Sequence, residues 1–227
     1  MKTRVHLAFA VCAGLAACAG APPERHAVAD WHAVPLPGKE STLYTTAVKD
    51  GRPAIEAQSE KSASMLRRHV RRPGAEVGQV SFSWWVSDLV ENGNVAMASR
   101  EDAPARIMFA FDGDIAKLPA RTRAMFDLAE AITGERPPFA TLMYVWDATA
   151  PVGSVIVNPR SDRIRKIVVD SGPQHLRRWR EHRRDLAADY RLAFGESPGE
   201  LSAIALMTDS DNTASRASSW YGPVELH

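Results

Sequence analysis

Residues 77–89 read VGQVSFSWWVSDL, and their alternation decides the fold class. Val80, Phe82, Trp84 and Val86 fall on one side of an extended chain, and Ser81, Ser83, Trp85 and Ser87 fall on the other. Successive side chains of a strand point to opposite faces, whereas a helix would scatter the same apolar residues around its surface. The pattern predicts a strand with one buried face. It also gives two adjacent tryptophans opposite fates, with Trp84 in the core and Trp85 outside.

The same reading extends in both directions. STLYTTAVKDGRPAIEAQS (41–59) holds two strand-like runs joined at Lys49-Asp50-Gly51, a hairpin signal. SASMLRRHV (62–70) reads as a third strand. In ARIMFAFDG (105–113), Ile107, Phe109 and Phe111 share one face, and Arg106, Met108, Ala110 and Asp112 share the other. FATLMYVWDA (139–148) is apolar on both sides and reads as a central strand. VGSVIVNPRSDRIRKIVVDSG (152–172) reads as a hairpin turning at Asn158-Pro159-Arg160-Ser161, and LSAIALMTD (201–209) and WYGPVEL (220–226) supply the last strands. Two segments read as helices. ARTRAMFDLAEAITG (120–134) gathers Met125, Leu128, Ala129 and Ile132 on one side and stops at glycine. HLRRWREHRRDLAADYRLAFG (175–195) lines up Leu176, Trp179, Leu186, Tyr190 and Phe194, with Gly195 placed to cap it. Many short strands with only two helices, and no regular strand–helix alternation, predict a mainly β fold. The expectation is an antiparallel β-sandwich of jelly-roll type with helices at about 120–134 and 175–195.

Composition narrows the function classes. Apolar residues make up 45% of the 227, enough for a proper core. The formal net charge of +1 supplies no global field for nucleic acid, so no nucleic-acid partner is expected. The N-terminus, MKTRVHLAFAVCAGLAACAGAPPE, begins with the cations Lys2 and Arg4 and continues with an apolar stretch from Val5 to Ala17. That stretch is short for a membrane span and has the length of a secretory signal's hydrophobic region. It ends in Leu15-Ala16-Ala17-Cys18, which resembles the lipobox of bacterial lipoproteins. The resemblance implies a signal peptide over 1–17, cleavage before Cys18, lipid on its thiol and acylation (palmitate or another acyl chain) of the new amino group. Two or more acyl chains anchor a protein stably. Residues 18–30 then form a tether, and 31–227 a single β-sandwich domain facing the periplasm. Ala19, with no aspartate after the cysteine, implies sorting to the outer membrane. The only cysteines are Cys12 and Cys18. The mature chain therefore has no thiol for a disulfide, a zinc site or a cysteine nucleophile, and its core alone must hold it. Loss of Lys2 and Arg4 takes the net charge to about −1.

Five strings in order, SASMLRR, APARIMFAFDG, ATLMYVWD, RDLAADYRLAFGE and ALMTDSDNT followed by WYG, resemble a family of exported bacterial proteins of unknown function. The likeness runs from Trp31 to Leu226. More distantly, the ending is similar to galactose-binding-type sandwiches and carbohydrate-binding modules. Their last strand carries an acid where this chain has Pro223, so no ligand or metal role passes to that strand.

The chemistry-bearing candidates are few. Asp209, Asp211 and Asn212 sit together at the end of an apolar run. They read first as turn chemistry, second as the rim of a ligand site and third as calcium ligands. The EF-hand pattern fails, so no metal is expected, and a cation is required between the carboxylates; Arg106 is the first candidate and Arg184 the second. Such a pairing would lower the carboxylate pKa values. Trp85, Arg106, Asp112, Asp147, Asp209, Asp211 and Asn212 form the expected ligand-binding set, an aromatic platform with charged groups around it, as a sugar site requires. No catalytic residue is assigned. Asp102, Asp112, Asp147 and Asp209 are eligible for paired-carboxylate chemistry, but no spacing pairs two of them. Serine-hydrolase elbows are absent, and His175 and His182 read as a solvated helix face. The basic runs at 67–72 and 177–191 read as solvated faces, with anionic envelope lipid or polysaccharide as their alternative partner. The expectation is a lipid-anchored, non-enzymatic envelope domain, without cofactor, that binds a carbohydrate or similar polar envelope ligand. The alternatives are a glycan hydrolase using paired aspartates and a structural or interaction protein of the envelope. The sequence does not name a protein partner.

Overall fold

The computed structural model describes residues 30–227. The expected signal peptide, Cys18 and nearly all of the tether lie outside the described residues. Among the described residues thirteen strands form two sheets. The front sheet has seven strands in the order β1 (His32–Pro35), β4 (Ser64–Arg72), β11 (Leu201–Met207), β6 (Arg106–Phe111), β7 (Ala140–Asp147), β9 (Ser161–Ser171) and β8 (Val155–Asn158). The back sheet runs β10 (Trp179–Asp185), β5 (Gln79–Val86), β12 (Arg216–Tyr221), β3 (Arg52–Glu60) and β2 (Leu43–Lys49), with β13 (Glu225–Leu226) also paired to β5. The architecture is the jelly-roll type of sandwich. Its pairing is antiparallel except between β7 and β9, which run parallel. The antiparallel expectation is corrected there, because the long connection through β8 lets β9 enter beside β7 in the same direction.

Local chemistry explains the strands that were legible. The β2–β3 hairpin turns at Asp50 and Gly51, whose φ angles of 50° and 77° are the left-handed pair that a tight hairpin turn needs. Alternation in β5 buries Val80, Phe82, Trp84 and Val86 against Ile107, Phe109, Leu142, Tyr144 and Trp146 of the front sheet. Phe82 stacks on Tyr144, and Trp84 meets Trp146. All eight residues of β7 are buried, as its two-sided apolar run requires of an interior strand. Trp84 is completely buried. Trp85 is buried too, at 8% exposure, because Trp220 closes on it edge-to-face and the Lys49 ammonium lies over its ring. The expected exposed Trp85 is corrected accordingly.

The helices depart further from expectation. α1 (Ala120–Thr133) ends at Gly134 as the sequence requires, with φ of 75°. Yet its only buried residue is Phe126, while Met125, Leu128 and Ile132 are exposed. The apolar stripe lies off the face that meets the protein. The helix expected over 175–195 is instead strand β10 followed by α2 (Leu186–Phe194). The C-terminal half of the stripe was sound, since Leu186 and Tyr190 are fully buried. In the first half, Arg180, His182 and Arg184 point inward because each finds an acid. Arg180 Nε and His182 Nε2 reach Asp170, and Arg184 forks onto Asp189 at 2.8 and 2.7 Å. Asp185 caps α2 by accepting from the Ala188 amide.

Asp170 holds the seam between the sheets. It accepts from Trp84 Nε1 and His182 Nε2, both at 2.8 Å, and from Arg180 Nε at 2.9 Å. Burial would raise its pKa, but the bonds from His182 and Trp84, the His182 charge and the Arg180 bond together hold it below the ordinary carboxylate value. A depressed carboxylate pKa contributes stability that is present above about pH 4 and is lost as the pH falls through the folded-state value. Asp170→Ala is expected to cost about 3–5 kcal/mol in urea unfolding at pH 7, because a buried donor set loses its acceptor. Asp170→Asn should show a smaller drop in melting temperature between pH 5 and pH 3 than the wild type.

Candidate functional site

The outward side of the front sheet carries a cleft of about 950 Å³. Strand register shows how it is floored. Arg67 of β4, Ala205 of β11, Met108 of β6 and Met143 of β7 are successive cross-strand neighbours. His69, Ala203, Ala110 and Thr141 form the next row. Met65 and Met207 lie toward the end that Arg106 occupies. Alanines make the floor low, and methionines give it soft, adaptable walls. One side wall is Pro137, Pro138 and Phe139, the segment that leads from α1 into β7. Arg67 braces that segment through a two-point pair with Glu135, at 2.6 and 3.1 Å. Arg163 braces it from the other side, donating from Nε to the Phe139 carbonyl at 2.8 Å.

One end of the cleft is polar. Asp209 accepts from Arg106 Nη2 at 2.9 Å and from the Ala103 amide at 3.0 Å. Arg106 also donates to the Glu101 carbonyl. Glu101 pairs with Lys166 at 2.7 Å, accepts from Asn158 Nδ2 at 2.5 Å and pairs with Arg160. Lys166 is wholly buried and donates to the Val95 carbonyl at 2.5 Å. These bonds seat the long segment between β5 and β6 onto the sheet. Burial pushes Asp209 up to about 7, against the pull of Arg106 and the Ala103 bond and with the push of Asp102 and Asp211. Burial likewise lowers Lys166 to about 8, helped by the Arg106 charge and opposed by Glu101. The expected Arg106–Asp209 pair is present, whereas Arg184 serves Asp189. The expected lowering of the Asp209 pKa is corrected, because desolvation outweighs the cation.

Asp102, Asp209 and Asp211 bring one carboxylate oxygen each within 4.8 Å of one another. Every one of them has protein partners. Asp102 accepts from the Asn212 amide and Nδ2 and from the Thr213 amide and hydroxyl, at 2.6–3.1 Å. Asp211 pairs with Lys39. Asn212 and Thr213 thus build the turn by donating to Asp102. The cluster is the charged turn that fastens the end of β11 to the segment before β6.

Of the seven expected ligand residues, Arg106, Asp112, Asp209, Asp211 and Asn212 line this one cleft. Asp112 stands at the far end and accepts from the Ser202 hydroxyl at 3.0 Å. Trp85 and Asp147 do not join them. Trp85 lies on the outer face of the back sheet beside Trp179 and Trp220. Asp147 is buried, accepting from the amides of Val95, Thr149 and Ala150 at 3.0, 2.8 and 2.6 Å, and it shapes loops. The sequence reading missed Glu101, Lys166 and the four cleft methionines. Lys166 had a signal, a cation that alternation places on one face with Ile164 and Val168, and each methionine falls on a different neighbouring strand.

The fold and site define a β-sandwich protein with an open cleft on the outer face of its larger sheet. The chain belongs to the family described as "Protein of unknown function (DUF3047)", whose pattern matches residues 29–225. Among curated proteins, none matches the chain. Among solved structures it is similar to a meso-active, thermo-stable cellulase derived from Cel12A of Rhodothermus marinus. That match has 13% identity and a TM-score of 0.46, covering 87% of this chain and 92% of that one. It is also similar to the xyloglucanase domain of NopAA from Sinorhizobium fredii, solved with cellobiose, at 7% identity and a TM-score of 0.39, covering 87% and 97%.

Because each carboxylate of the turn is already engaged, calcium and EDTA are both expected to leave the melting temperature unchanged. Asp209→Ala, which strands the buried Arg106 guanidinium, is expected to cost about 3–5 kcal/mol in denaturant unfolding. A calcium-dependent rise in melting temperature that disappears in Asp209→Asn would make the turn a metal site instead.

Proposed function

We propose that this chain is a binding protein of the bacterial cell envelope, anchored by lipid on Cys18, that holds an elongated envelope ligand with polar groups in the cleft of the front sheet. A glycan strand or a comparable polar-ended molecule is the ligand class. The observation that carries the reading is the convergence of Arg106, Asp112, Asp209, Asp211 and Asn212 on one cleft of about 950 Å³ with an apolar floor. A concave, mostly apolar site with a few polar groups at defined places is what small-ligand recognition requires.

Binding suits the geometry better than hydrolysis. Glycosidase chemistry needs two carboxyl groups on either side of the scissile bond, one of them free to donate a proton. The mid-floor positions of β4, β6, β7 and β11 are Arg67, Met108, Met143 and Ala205. The carboxylates at the polar end are engaged by Arg106, Lys166, Arg160 and Lys39.

Two measurements test the proposal. Cys18→Ser is expected to move the protein from the detergent phase to the aqueous phase on Triton X-114 partition and to remove lipid mass from its N-terminus. Native protein that already partitions into water without lipid mass would sink the anchor. Purified protein is also expected to bind envelope extracts without turnover of glycan substrates. Asn212→Ala should weaken that binding about tenfold, as the loss of one or two ligand hydrogen bonds implies. Glycan turnover abolished by Asp112→Asn or Asp209→Asn would establish the hydrolase instead.

A further inference from the structure

The cleft's lining defines its ligand more narrowly, given that the cleft is the binding site. None of the chain's six tryptophans lines it, and Phe139 is its one aromatic residue. Phe139 stands in the side wall, with the Arg163 guanidinium 4.1 Å from its ring centre on one face. A sugar ring therefore finds no aromatic platform on the floor and a single aromatic side chain in the wall. The lining instead includes Met65, Met108, Met143 and Met207, four of the chain's seven methionines. Ala110, Ala203 and Ala205 lie between them at the bottom. Alanine leaves depth along the middle of a trough. Unbranched, polarisable methionine moulds to flexible apolar shapes and offers no hydrogen-bonding specificity.

The dimensions suit a chain molecule. The cleft follows β6 and the residue after it, from Arg106 to Asp112, six steps of about 3.3 Å each, or roughly 20 Å. Among the floor positions of its middle rows the charged side chain is Arg67 on β4, neutralised by its two-point pair with Glu135. Lys39, Arg106, Asp211 and the polar Asn212 mark one end, and Asp112 marks the other. An apolar trough bounded by polar ends complements a molecule with an extended apolar body and a polar head.

We propose that the front-sheet cleft binds a single-chain amphiphile, with its acyl or alkyl chain laid along the Ala110–Ala203–Ala205 trough between the four methionines and its polar head at a charged end. The chain is recognised by length and the head by hydrogen bonds. The lining carries five cations, Lys39, Arg67, Arg106, Arg136 and Arg160, and five carboxylates, Glu101, Asp112, Glu135, Asp209 and Asp211, so its net charge does not select the sign of the head.

The test is calorimetric titration of the full-length protein with n-alkanoates from octanoate to palmitate and with n-alkyl maltosides, all below their micelle concentrations. Soluble cello-oligosaccharides and a peptidoglycan disaccharide are the comparison. Affinity is expected to rise about fourfold per added methylene until the trough is full, with the same slope for both head groups. Ala205→Phe, which fills the trough, should weaken the longest chain at least tenfold. Met108→Gln, which keeps volume but adds an amide, should weaken it severalfold and guards against a folding defect in the first variant. Oligosaccharide binding lost in Ala205→Phe, together with no response to alkyl chains, overturns the amphiphile and leaves the cleft as the site. Absence of binding by both classes, or binding untouched by either variant, overturns both the amphiphile and the cleft.

Discussion

The burial of four charges at one end of the front sheet constrains everything near the cleft. Arg106, Lys166, Glu101 and Asp209 are each at most 6% exposed. Moving a carboxylate or a cation out of water costs several kcal/mol unless partners replace the lost solvent. They come from separate parts of the chain: β6, β9, the β5–β6 segment and the residues after β11. All four must be in register at once. That requirement sets where the β5–β6 segment lies, because Lys166 takes the Val95 carbonyl, Arg106 takes the Glu101 carbonyl and Asp209 takes the Ala103 amide. The end wall of the cleft is thus a consequence of charge satisfaction, and the floor beside it is free to be apolar.

The two faces of the front sheet divide the work of stability and recognition. Inward, Ile107, Phe109, Leu142, Tyr144 and Leu206 pack against Phe82, Trp84 and Tyr221 of the back sheet. Polar ties cross the same seam. Tyr221 donates to the Met207 carbonyl at 2.7 Å, and Tyr144 donates to Asp189 at 2.7 Å. These ties fix the backbone of the strands whose other face floors the cleft. A trough of small and flexible side chains then keeps its shape without rigid groups of its own, since the strand backbone beneath it is held from behind.

Titration links the polar end of the cleft to pH. Asp209, raised to about 7, makes the folded state bind a proton more tightly than the unfolded chain does between about pH 4 and 7. Its contribution to stability is therefore greatest in acid and declines as the pH rises toward 7. Lys166, lowered to about 8, acts in another window. The unfolded chain holds that proton more tightly between about pH 8 and 10, so its contribution grows as the pH rises there. Both effects have one cause, the desolvation of charges that the fold needs for geometry.

The sequence by itself determined strands β2, β3, β5 and β6, because period-2 alternation in 77–89 and 105–113 and the Asp50-Gly51 turn are local signals whose meaning needs no partner. It also put turn chemistry first for Asp209, Asp211 and Asn212 and required a cation beside them, with Arg106 the first candidate and Arg184 the second; only the structure assigned Arg106 to Asp209 and Lys39 to Asp211. Only the tertiary structure decided which sheet each outward face belongs to. Alternation placed Trp85 and Arg106 alike on outward faces, yet they lie on opposite sides of the sandwich, so no common site includes both. Only the structure turned Trp179–Asp185 into a strand. Its inward cations are stable there because Asp170 and Asp189, 5 to 12 residues away in sequence, meet them in space. Only the structure joined Met65, Met108, Met143 and Met207 into one trough. Each is unremarkable on its own strand, and the register between strands, set by long-range pairing and core packing, makes them neighbours.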